Sequence, residues 1–121
     1  MTTCLIADDS KIIRMVLSKI MSNLGFDVIE AEDGEDVIKL WKKTPMDLII
    51  MDWHLPVMEG IDVLYMIRSH HKMQQPKIIF CSSLVDEGKI REALQGGADD
   101  YIIKPFDEEI IESKITILGL L

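Results

Sequence analysis

The chain has 121 residues, enough for one domain whose core needs no disulfide or metal staple. Its net charge of −8, with no Lys/Arg run, argues against sequence-independent binding to nucleic acid or to anionic membranes. No apolar run approaches the ~20 residues of a membrane span and no basic-then-hydrophobic leader opens the chain, so a soluble, cytoplasmic protein is expected. Cys4 and Cys81 both lie inside apolar runs and form no C-x-x-C pair, which predicts reduced, buried thiols.

The predicted elements alternate. A first strand at Thr3–Ala7 leads into a helix carrying Ile13, Val16, Leu17, Ile20 and Leu24 at helical spacing, stopped by Gly25. A second strand at Asp27–Glu30 precedes a helix from about Glu35 to Lys43, with Val37, Ile38 and Trp41 on one side and Pro45 beyond its end. The third strand, Leu48–Met51, reads LIIM, apolar at every residue, as a strand covered on both faces requires. A third helix runs from about Ile61 to His70, burying Ile61, Leu64 and Ile67; His70-His71 sit at its negative pole. The fourth strand, Lys77–Cys81, is followed by a helix from about Asp86 to Gln95 that ends at Gly96-Gly97. The fifth strand, Tyr101–Ile103, is followed by a helix from about Asp107 to Ile117.

Five strands alternating with five helices predict a doubly wound α/β domain: a five-stranded parallel sheet with helices on both faces. No linker, repeat or low-complexity tract divides the chain, so one domain over 1–121 is expected. Right-handed crossovers place ligands at the carboxyl ends of the strands. There the sequence sets Asp8-Asp9-Ser10 after the first strand, Asp52 after the third, Ser82-Ser83 after the fourth and Lys104-Pro105 after the fifth. Each has a plainer reading: a helix cap for Asp8-Asp9-Ser10, a turn residue for Asp52, an exposed loop end for Lys104-Pro105. Their corresponding positions on four strands favour a shared site. Three carboxylates crowded together need a cation to stay ionised, and a hard divalent ion such as Mg²⁺ suits oxygen ligands. With Lys104 and the Ser82 hydroxyl added, the group could bind a phosphoryl oxygen, and Asp52 would be the nucleophile that forms an aspartyl phosphate.

The pieces IADDS, MDWHLPVMEG and GGADDYIIKPF, in this order and spacing, resemble the receiver domain of two-component response regulators over essentially the whole chain. The chain looks like a single-domain regulator of the chemotaxis (CheY) type; DW-x-x-P-V-M-x-G and the ending KPFDEEIIESK are similar to stand-alone alphaproteobacterial members. The resemblance implies a flavodoxin-like strand order of 2-1-3-4-5. It implies that Asp52 accepts phosphoryl from a histidine kinase or histidine phosphotransfer protein. Asp9 and Asp52 would bind Mg²⁺ with the backbone carbonyl of His54, Asp8 acting directly or through water. Lys104 would pair with the phosphoryl group, Ser82 would swing towards it, and Tyr101 would be the aromatic switch. The Lys104–Pro105 peptide would be cis. Output would come from the surface of the fourth helix, fifth strand and fifth helix, acting on a protein target, as a monomer or a phosphorylation-dependent dimer.

The chain departs from the common pattern at Glu59, where Asp is more usual, and at Ser83, where a small Ala is. His54 and Leu84 occupy variable positions that flank the phosphoryl group and control the hydrolysing water. Eight methionines read mainly as core filling, with one on the output face a possible aid to partner binding. Competing readings are a phosphate sink for a shared kinase, an Asp-nucleophile phosphatase of the haloacid dehalogenase type, and a flavodoxin-like FMN binder. The phosphatase type wants D-x-D after its first strand, and two acids there would repel an FMN phosphate. Leu84 cannot hold a water by hydrogen bonding, so self-dephosphorylation should be slow. Replacing Leu84 with Glu or Gln should accelerate phosphate loss in a timed assay; an unchanged or slower loss rejects this role.

Overall fold

The computed structural model describes residues 2–71 and 73–121. In chain order the elements are β1 (Thr3–Ala7), α1 (Lys11–Asn23), β2 (Asp27–Ala31), α2 (Gly34–Lys43) and β3 (Leu48–Met51). They continue with α3 (Gly60–Ser69), β4 (Lys77–Ser82), α4 (Glu87–Gln95), β5 (Asp100–Ile103) and α5 (Glu108–Ile117). The sheet runs β2-β1-β3-β4-β5 with every pair parallel, as expected for a doubly wound domain.

Strand alternation divides the core in two. Leu5, Ile49, Met51, Ile78 and Phe80 point to one face, under Val37, Trp41, Val63, Leu64 and Ala93 of α2, α3 and α4. Cys4, Ile6, Leu48, Ile50 and Cys81 point to the other, under Leu17, Ile20 and Met21 of α1 and Ile111 and Ile115 of α5. All four residues of β3 are fully buried, each apolar side chain contributing about 1.5–3 kcal/mol. That strand delivers Asp52 from a fully buried part of the sheet.

Element ends follow hydrogen bonding more than hydrophobicity. β2 extends to Ala31, β4 to Ser82, and β5 starts at Asp100, because the ladders pair Ala7 with Ala31, Ser82 with Ile103 and Ile79 with Asp100. α1, α2, α4 and α5 start after Ser10, Asp33, Asp86 and Asp107, whose side chains accept the N–H three residues on. Ser10 therefore caps α1, as read from the sequence. His70 ends α3, its Nδ1 2.8 Å from the Met66 carbonyl.

Two details of the helix faces differ from expectation. Val16 is 45% exposed, whereas Arg14 and Met21 are buried. The sheet-facing stripe runs 14-17-21, so Val16 falls to one side of it. Among the described residues the exposed methionine is Met15 on α1, and α4, β5 and α5 contain none. Among the described residues no helix is long and apolar enough to cross a membrane. Both cysteines are free and buried; burial pushes the Cys81 thiol up to about 12 and that of Cys4 higher, so neither is a ready nucleophile.

The β3–α3 loop is held by a close backbone approach. Gly34 donates its N–H to the Pro56 carbonyl at 3.2 Å, and a Cβ at Gly34 would run into the Met58 carbonyl oxygen. Gly34→Ala should therefore destabilise the fold by about 1–3 kcal/mol in urea denaturation; a change within error would show that this contact is slack.

Candidate functional site

The site is assembled by register. Because Ala7 pairs with Met51, the residues that follow, Asp8 and Asp52, leave the sheet side by side. The Asp52 N–H bonds the Ala7 carbonyl at 3.0 Å, and the Lys104 N–H bonds that of Ser82 at 2.9 Å. Lys104 then reaches back across the strand ends. Its Nζ donates to Asp8 Oδ2 at 2.7 Å and to Asp52 Oδ2 at 2.9 Å. The three side chains are only 3%, 11% and 18% exposed for Asp8, Asp52 and Lys104. Burial works against the Lys104 charge, but the bonds from Asp8 and Asp52 outweigh it and leave the ammonium above its ordinary range.

The second carboxylate oxygens are tied locally. Asp8 Oδ1 accepts the Ser10 N–H at 2.9 Å, and Asp52 Oδ1 accepts the His54 N–H at 3.2 Å. Asp9, by contrast, is exposed. Among the described residues no three His, Cys, Asp or Glu side chains are gathered into a metal cage. The structure thus brings two of the expected carboxylates together around Lys104 and leaves the third at the mouth. The donor chemistry still fits a hard divalent ion. All donors are oxygen, and three aspartates against one lysine leave a formal surplus of two negative charges.

The remaining residues line the rim. Ser82 is fully buried and its Oγ accepts the Leu84 N–H at 3.2 Å. The Leu84 carbonyl accepts the Tyr101 hydroxyl at 3.0 Å, so Tyr101 lies inward, 9% exposed. The His54 ring is exposed and turns away from the carboxylates, with Nδ1 3.6 Å from Glu59 Oε2. The Lys104–Pro105 bond is cis.

Three features were not anticipated. Trp53, next to Asp52, packs on Phe80 at 5.4 Å, and Phe80 packs on Tyr101 at 5.9 Å. Gly60 makes room for this stack, since a Cβ there would meet both Phe80 and the Asp52 carbonyl. Val57 holds φ at +70° while the Met58 N–H bonds the Pro56 carbonyl at 2.7 Å, a γ-turn in the loop between β3 and α3. A β-branched residue in that region costs about 1–3 kcal/mol. Arg14 is buried behind Asp8, and its 14-17-21 spacing with Leu17 and Met21 was the available signal.

A doubly wound parallel sheet thus presents a buried Asp–Lys–Asp cluster at its carboxyl edge, where ligands of such folds bind. The sequence model of the response regulator receiver domain matches residues 4–116, and the chain belongs to this family. It is 37% identical to the chemotaxis protein CheY of Bacillus subtilis over 106 residues, 87% of each chain. It is 30% identical to chemotaxis protein CheY1 of Helicobacter pylori over 119 residues, 94% of each. The structure of chemotaxis response regulator CheY4 of Vibrio cholerae superposes with a TM-score of 0.88 at 28% identity, covering 100% of this chain and 99% of that one. A Clostridium difficile two-component response regulator gives 0.91 at 26%, covering 98% and 96%. The chain is therefore a CheY-like receiver of two-component signalling, a class of signalling proteins rather than classical enzymes. The dehalogenase-type reading is not favoured by these relatives.

Because the Lys104 pKa is raised on folding, its contribution is fully present below the unfolded lysine value of about 10.4 and is lost as pH rises through the higher folded value. Lys104→Met should cost about 3 kcal/mol at neutral pH in metal-free buffer, because two buried carboxylates lose their shared partner. That difference should close at strongly alkaline pH in urea denaturation, and a variant as stable as wild type at pH 7 would refute the assignment.

Proposed function

We propose that Asp52 is the phosphoacceptor, taking a phosphoryl group from the phosphohistidine of a kinase or phosphotransfer protein. The observation that carries this reading is the single ammonium shared by Asp8 and Asp52 in a buried pocket at the strand ends. An Asp52 carboxylate oxygen attacks phosphorus as the P–N bond to the donor imidazole breaks. The departing nitrogen keeps the bond's electron pair, and because the ring's other nitrogen carries a proton the products are an acyl phosphate and a neutral imidazole. Lys104 stabilises the charge on the transferred group. Asp8, Asp9, Asp52 and the His54 carbonyl are the oxygens that would hold Mg²⁺, which when bound neutralises phosphoryl charge.

Ser82 and Tyr101 read the result. The Ser82 Oγ accepts the Leu84 N–H and keeps its own proton free to donate, so turning towards a phosphoryl oxygen draws Leu84 inward. Tyr101 follows through the Leu84 carbonyl. New charge at Asp52 thereby biases a two-state arrangement of the loop beside α4. The target face combines α4, β5 and α5, each with an exposed apolar residue: Leu94, Ile103 and Ile110. Those residues favour a protein target over a pure phosphate sink. The net charge of −8 argues against nucleic acid, and the protein would act in the cytoplasm, as a monomer or as a dimer formed on phosphorylation. Its only turnover would be self-phosphorylation from small donors and self-dephosphorylation, tuned by His54 and Leu84.

Incubation with acetyl phosphate and Mg²⁺ should add one phosphoryl mass to the wild type and none to Asp52→Asn, by intact mass spectrometry. Chelation of Mg²⁺ should abolish the gain. No gain on the wild type, where a known receiver is labelled, would sink the proposal.

A further inference from the structure

The buried polar or charged side chains among the described residues are Asp8, Asp52, Ser82 and Arg14. The first three form the site. We infer that Arg14 is a positioning residue of the same site, setting its preference for Mg²⁺ by fixing the backbone that carries Asp8; this rests on the reading of the pocket as a divalent-cation site.

Arg14 Nη1 donates to the Asp8 carbonyl at 2.7 Å in a fully buried bond. Its Nε donates to Glu30 Oε1 at 3.2 Å, and Nη2 lies 3.5 Å from Glu32 Oε1. One planar guanidinium thus joins the end of β1 to the end of β2, which a lysine ammonium could not do with the same geometry. Asp8 is consequently anchored on every side. Its N–H bonds the Ala31 carbonyl at 3.2 Å, its carbonyl takes Arg14, and its carboxylate takes Ser10 and Lys104. Only the last of these faces the ligand side.

Rigidity of this kind matters unequally to different cations. Mg²⁺ requires near-octahedral ligands at short distance, whereas Ca²⁺ tolerates a looser and more variable set. Freeing Asp8 should therefore weaken Mg²⁺ more than Ca²⁺. A plain charge effect has the opposite sign, since removing a nearby positive group would tighten both. Sign and selectivity together separate positioning from charge.

The test is titration of Mg²⁺ alone, and of Ca²⁺ alone, followed by fluorescence of Trp53, the buried residue next to Asp52. Arg14→Met, checked as folded by circular dichroism, should weaken Mg²⁺ binding about tenfold, the usual scale for groups that orient a metal ligand. Ca²⁺ should change less, and Arg14→Lys should fall between wild type and Arg14→Met. Unchanged or tighter Mg²⁺ binding, or equal weakening of both ions, would overturn the inference. Should Arg14→Met not fold, the Glu30→Ala/Glu32→Ala pair removes both acceptors and releases the guanidinium from β2 without emptying buried space. It should give a smaller loss selective for Mg²⁺, and no selectivity would overturn the inference. Labelling by acetyl phosphate is a separate readout: its failure in the wild type overturns the proposed function, while the metal titration decides the role of Arg14.

Discussion

Two buried carboxylates share one ammonium, and most of the molecule can be understood as the means of keeping them there. Asp8 and Asp52 leave adjacent parallel strands in the same register, so their charges are forced together. Without Lys104 the pair would repel in a poorly solvated pocket; with it, each has a short, charge-assisted bond. The fully buried LIIM strand and the two hydrophobic layers supply the rigidity that keeps the carboxylates from drifting apart. The same arrangement is also poised to change. One lysine serving two acids can be redistributed when a further charge arrives, which a simple one-to-one ion pair would resist.

The surroundings convert that electrostatic event into shape. Ser82, Leu84 and Tyr101 are linked by two hydrogen bonds that run from the pocket floor to the fifth strand. Trp53, Phe80 and Tyr101 form a second, aromatic connection between Asp52 and the same tyrosine. Close packing makes such connections discrete, because an aromatic ring in a filled core has few alternative positions. The strained turn at Val57 lies in the loop that follows Asp52 and is held by the tight approach of Gly34 to Met58. Strain beside a binding pocket persists only where the neighbouring structure over-determines it.

Much of the fold was legible. The period-3.6 runs, the unbroken apolar third strand and the Ser10 cap of the first helix each depend on nearby residues, whereas the Asp33, Asp86 and Asp107 caps were not read as such. The helix faces were less so: Val16 was read as core because hydrophobicity outweighed its angular position, and Arg14 was passed over because a charge in an apolar stripe reads as surface. At the site, Asp8, Asp52, Ser82 and Lys104 were readable as residues at strand ends. That Asp9 stands outside the ion cluster was not, since Asp8 and Asp9 are chemically identical neighbours and only strand alternation decides which one turns inward.

The sequence by itself determined the alternation of strands and helices, the caps, and the placing of acids, hydroxyl and lysine at the sheet's carboxyl edge, because hydrophobic period and capping are local properties. Tertiary structure alone decided which groups meet. Lys104 bonds Asp8 across 96 positions and Asp52 across 52, and Arg14 bridges two strands. It also decided that His54 faces Glu59 and that Tyr101 lies inward. Such contacts follow from ladder register and rotamer choice in a packed interior, and neither is written in the spacing of residues along the chain.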